Sequence, residues 1–73
     1  MKILTEVIKE AARAENKYKR QNASAHEFFG VLQEEIDELW DEIKKKDEKR
    51  DVEHMKKEAI QCMAVLYRFV KSL

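Results

Sequence analysis

Proline is absent, and glycine and cysteine occur once each, as Gly30 and Cys62, in 73 residues. Without turn-forming clusters the chain cannot follow a β-sandwich, a collagen-like or a loop-rich path. A single cysteine excludes a disulfide framework. No apolar run approaches the roughly 18 residues of a membrane-spanning helix, so no membrane role is expected. The segment from Met1 to Glu6 turns acidic too early for a secretory leader,. A cytoplasmic location is therefore the expectation.

What the chain has is charge and helix formers. Charged residues make up 41%, against a usual share of about 25%. Ala, Glu, Lys, Leu and Arg account for 38 of the 73 positions, the composition of long helices. A chain this short makes one domain, residues 1–73. It buries only about 60% of its unfolded surface, so burial between copies is expected to supplement its own core.

The total charge is zero, but it is divided unevenly. Residues 1–22 carry +3, residues 23–43 carry −7 with no Lys or Arg, and the two segments 44–58 and 59–73 carry +2 each. A zero total argues against binding a nucleic acid polymer, which needs a basic face. A helix at −7 repels itself. A bound cation, or lysines from the 44–50 turn or from another chain, would offset that.

Apolar spacing predicts three helices. The first spans about 3–20, with Leu4, Val7, Ile8, Ala11, Ala14 and Tyr18 on one face. The second opens with Ser24-Ala-His-Glu27, which reads as a capping box, and runs to about 44–46 with Phe28, Leu32, Ile36, Leu39 and Ile43 in one stripe. The short charged turn Lys44–Arg50 favours an antiparallel hairpin, with Asp47 or Asp51 as the cap of the next helix. The third runs from about 51 to 71. Ten of its twelve residues from Ala59 to Val70 are apolar, and a helix apolar nearly all round is buried on most sides. The expected fold is all-α: a three-helix chain with a long antiparallel hairpin, assembling into an oligomeric core of the four-helix-bundle type. Gln61 and Arg68 interrupt that apolar run and require an explanation.

Folding the hairpin about residue 48 sets side by side the residues whose numbers sum to 96. Glu38 then faces Glu58, Glu35 faces Gln61, Ile36 meets Ile60 and Leu32 meets Ala64. Within the helices, Glu35 and Glu38, and likewise Glu58 and Gln61, are one turn apart on one face. Three carboxylates and an amide converge. Such a set either raises its own pKa values or holds a cation. Oxygen ligands select hard ions, Mg²⁺ first and Mn²⁺ or Ca²⁺ as substitutes. Because Mg²⁺ commonly binds through carboxylates together with substrate phosphates, the chemistry suggested is metal-assisted attack of water on a phosphate ester or anhydride.

The string Glu34-Glu35-Ile-Asp-Glu38, followed after nineteen residues by Glu58-Ala-Ile-Gln61, resembles the Glu-Glu-x-x-Glu … Glu-x-x-Asp signature of the MazG-like all-α nucleotide pyrophosphohydrolases. The likeness covers residues 24–70 well and the first helix loosely. It implies a Mg²⁺-dependent enzyme that cleaves nucleoside triphosphates to a monophosphate and pyrophosphate, working as a dimer or tetramer. By position it implies Glu35, Glu38, Glu58 and Gln61 as metal ligands, Glu34 as a further ligand or the water-orienting base, and Glu34 and Glu35 as the catalytic pair. Lys17, Lys19 and Arg20 are candidate phosphate contacts, and Trp40, beside the acidic cluster, is a candidate for stacking on a base. Gln61 departs from the signature, which has Asp there. One negative charge is lost, which lowers the expected metal affinity and disfavours a second ion. The alternative is a non-catalytic helical oligomer that binds nucleotide or a protein partner.

Three further residues have plainer readings. Cys62 reads as an inert thiol in an apolar helix. His26 reads as an exposed helix-start residue. His54 precedes Glu58 by one turn and could reach the cluster, but Asp51-Val-Glu-His54 only weakly echoes a di-iron motif, so a surface or turn-capping role is expected.

Overall fold

The computed structural model describes residues 2–18 and 24–73, the side chains of 17 and 18 apart. All the regular structure there is helical, in three helices: α1 (Lys2–Tyr18), α2 (Ala25–Ile43) and α3 (Val52–Ser72), with a 3₁₀ turn at Asp47–Lys49. No strand occurs among the described residues. No helix there is long and apolar enough to cross a membrane.

The caps follow from the sequence. Ser24 Oγ accepts a hydrogen bond from the Glu27 amide at 3.1 Å, which satisfies one of the free N–H groups at the start of α2. Asp51, rather than Asp47, caps α3, its Oδ1 accepting from the His54 amide at 3.1 Å. Helix α2 ends at Ile43 with Lys44 as its C-cap, at the start of the lysine run. Arg50 explains the stop. Its Nε donates to the Ile43 carbonyl at 2.9 Å and its guanidinium pairs with Asp47 at 2.6 Å, so the turn satisfies the helix end itself.

Helix α3 is the central element. Both α1 and α2 pack against it, and α2 and α3 form the antiparallel hairpin. The apolar core is small: Val7, Ala11 and Ala64 with Ile60 packed against them, and Val65 buried nearby. Two alanines at the crossing let α1 lie close to α3. The apolar face of α1 is wider than the ridge it meets, so Leu4 (60% exposed) and Ile8 remain in solvent. Phe29, Ile36, Trp40 and Ile43 on α2, and Met63, Leu66 and Val70 on α3, are also exposed. Two residues are buried as deeply as the core and are charged: Glu42 and Glu58, 6% and 8% exposed. Along one side, α1 and α2 stand apart and leave a groove floored by α3.

Candidate functional site

Three carboxylates from the hairpin come together. Ligand atoms of Glu35 and Glu38 on α2 and of Glu58 on α3 lie within 4.8 Å of one another. Opposite oxygens around Mg²⁺ stand roughly 4 Å apart, and around Ca²⁺ roughly 5 Å. The cluster is thus of the right size for one hard cation, and its donors are all oxygen. With its amide nitrogen turned to the carboxylates, Gln61 donates to Glu35 Oε2 at 2.9 Å and to Glu58 Oε2 at 3.1 Å. It sits where the hairpin register places it, but in this orientation it is a donor that ties two carboxylates together. Serving as a cation ligand would require the amide to rotate and give up both bonds.

Burial and the crowding of like charges both shift these carboxyls. Burial pushes the Glu35 carboxyl above the usual carboxylate range, and the charges of Glu38 and Glu58 add to this. Glu38 is also raised, by desolvation first and then by its hydrogen bond with Glu58 and the Glu58 charge. The Cys62 thiol is raised by burial and by Glu35 and Glu58. That keeps it protonated and unreactive.

His54 is more than a surface residue. Its backbone amide serves the cap, and its side chain, 45% exposed, bridges two carboxylates: Nδ1 lies 3.0 Å from Glu42 Oε1 and Nε2 lies 3.1 Å from Glu58 Oε1. Glu42 also receives Lys45 Nζ at 2.9 Å, while its Oε2 is enclosed without a partner. A chain Lys45–Glu42–His54–Glu58 thus braces the buried member of the cluster, much as outer carboxylate–histidine pairs orient metal ligands. Neither Glu42 nor the bridging role of His54 was expected. The signal was nevertheless present, because 42 and 54 also sum to 96 and so face each other across the hairpin.

The groove between α1 and α2 holds a cavity of about 490 Å³, within the range of small-molecule sites. Glu34, Glu35 and Gln61 form its end beside the carboxylates, and Phe28, Arg13 and Arg68 line it further along. Glu34 reaches the groove but is not a member of the three-carboxylate cluster. Trp40 is 56% exposed and is not among the residues that line this groove. Two residues beyond Glu38 on a helix, it points to another face. Lys19 and Arg20 lie outside the described residues, as does the side chain of Lys17.

Compared with protein-family models, curated proteins and solved structures, the chain matches none.

Proposed function

We propose that this chain is a Mg²⁺-dependent nucleoside triphosphate pyrophosphohydrolase-like protein that acts as a homo-oligomer. The observation that carries the reading is the approach of Glu35, Glu38 and Glu58 to within 4.8 Å, at the end of a groove large enough for a nucleotide,. The resemblance of residues 24–70 to the MazG-like signature supplies the reaction. Glu35, Glu38 and Glu58 hold the ion, and Gln61 joins them if its amide turns over. A bound Mg²⁺ would neutralise charge on the phosphate oxygens. Glu34, at the groove wall, orients the attacking water. The bond formed is from water oxygen to the α-phosphorus, and the bond broken joins that phosphorus to the α–β bridging oxygen. A nucleoside monophosphate and pyrophosphate leave.

The exposed apolar stripes of α2 and α3 support oligomerisation, since a chain with so small a core gains stability by covering them. Two hairpins packed face to face would form a four-helix bundle. A second reading, a non-catalytic nucleotide-binding oligomer, is favoured by one observation: the Gln61 donor now occupies the place of an anionic ligand.

The test is pyrophosphate release from a panel of ribo- and deoxyribonucleoside triphosphates with Mg²⁺ or Mn²⁺. Turnover by the wild type, or gained in Gln61→Asp, supports the enzyme. Binding without products in both supports the second reading.

A further inference from the structure

Arg68 is the residue that the site as described leaves unexplained. It interrupts an apolar helix, and desolvating a guanidinium is costly unless something answers it. Its Nε is enclosed and has no hydrogen-bond partner. Its guanidinium carbon stands 6.0 Å from the centre of the Phe28 ring, a contact that does not satisfy the donor. Among the described residues lining the groove, Arg13 and Arg68 are the cations. Arg13 is engaged by Glu10, with Nε to Oε2 at 3.0 Å, and that bond holds the Glu10 carboxyl below its usual range. Among the described residues no carboxylate forms an ion pair with Arg68.

Its place relative to the cluster is set by the helix. Arg68 lies seven residues after Gln61, so it shares that face of α3 about 10 Å further along the axis. Its guanidinium lies beside Phe28, which precedes Glu35 on α2 by seven residues, so it stands along the groove about two helical turns from the carboxylates. The remaining groove wall is acidic, with Glu10, Glu27, Glu34 and Glu35. A bare anion would be repelled there. One that arrives with a divalent cation at Glu35, Glu38 and Glu58 would find its counter-charge at both ends of the groove.

We propose that Arg68 is a phosphate-binding residue: it receives the phosphoanhydride end of the substrate while the three glutamates hold the accompanying cation. This rests on the metal reading above and adds the residue that positions the phosphate chain. A planar guanidinium suits two phosphate oxygens at once, which an ammonium does not.

The test uses Mn²⁺ and inorganic pyrophosphate as probes, with the full chain as wild type, Arg68→Met and Arg68→Lys. Methionine keeps an unbranched apolar stem against Phe28, so the variant retains its packing. Calorimetry should show Mn²⁺ alone binding all three proteins equally. Pyrophosphate binding in the presence of Mn²⁺ should weaken about tenfold or more in Arg68→Met and be partly restored in Arg68→Lys. Equal pyrophosphate affinity in wild type and Arg68→Met, with Mn²⁺ still bound, overturns the role of Arg68 and leaves the metal site standing. Failure of the wild type to bind Mn²⁺ overturns the metal site, and this proposal with it.

Discussion

Replacing Gln61 by glutamate keeps the side-chain length and changes two things at once. The amide hydrogen bonds to Glu35 and Glu58, at 2.9 and 3.1 Å, are lost, and a fourth carboxylate enters the cluster. Hydrogen bonds to charged groups are worth about 1.5–3 kcal/mol each. The cluster is partly open to solvent, so the low end applies and the two together amount to about 3 kcal/mol. Added repulsion at about 4 Å lies between about 1 and 4 kcal/mol as the surroundings range from water-like to protein-like. Protonation of the already raised Glu35 or Glu38 limits that term. In EDTA near pH 7.5 Gln61→Glu should therefore be less stable by at least about 3 kcal/mol, a melting temperature lower by more than 10 °C in a domain of this size. A divalent ion reverses the balance. At a hundred times its dissociation constant an ion adds about 2.7 kcal/mol, and the variant should bind it more tightly than the wild type. Thermal melts with and without Mn²⁺ read both effects. A variant as stable as the wild type in EDTA, or one whose Mn²⁺-induced rise is no larger, refutes the donor role assigned to Gln61.

Two other outcomes follow from the same geometry. His54→Ala removes the bridge between Glu42 and Glu58, and because His54 is half exposed the expected loss is about 1–2 kcal/mol in urea unfolding; His54→Ala should also weaken Mn²⁺ about tenfold by freeing Glu58, and unchanged affinity would show that His54 does not brace the site. The Glu35 and Glu38 carboxyls have pKa values raised in the folded state, so their contribution is fully present below the unfolded carboxylate pKa and is lost as pH rises through the folded values,. Metal-free protein should accordingly lose stability as pH rises out of the ordinary carboxylate range, and Mn²⁺ should flatten the dependence; a metal-free melting temperature that climbs over that interval contradicts the repulsion described.

How much of this was legible in the chain depended on periodicity. Leu32, Ile36 and Ile60 sit in stripes that define α2 and α3, and Ser24 and Asp51 are cap residues by type. The register about residue 48 brings Glu35 to Gln61 and Glu38 to Glu58. Glu42 and His54 obey the same register. Taken singly, however, a glutamate in an acidic helix and a histidine near a turn read as solvated, and only their mutual approach makes them a brace for Glu58. The exposure of Leu4 and Ile8 was not legible, because helix spacing does not say how wide a ridge the partner helix offers. Arg68 was conspicuous in an apolar run, but its lack of a partner is a property of the packed groove. Trp40, next to the cluster in number, lies on another face in space.

The central claim is that Glu35, Glu38 and Glu58 grip one divalent ion. Anomalous diffraction from a crystal soaked in Mn²⁺ tests it most directly. The account predicts a manganese peak among these three carboxylates, lost in Glu58→Gln. A manganese peak elsewhere, or no peak at the cluster under saturating Mn²⁺, would contradict it.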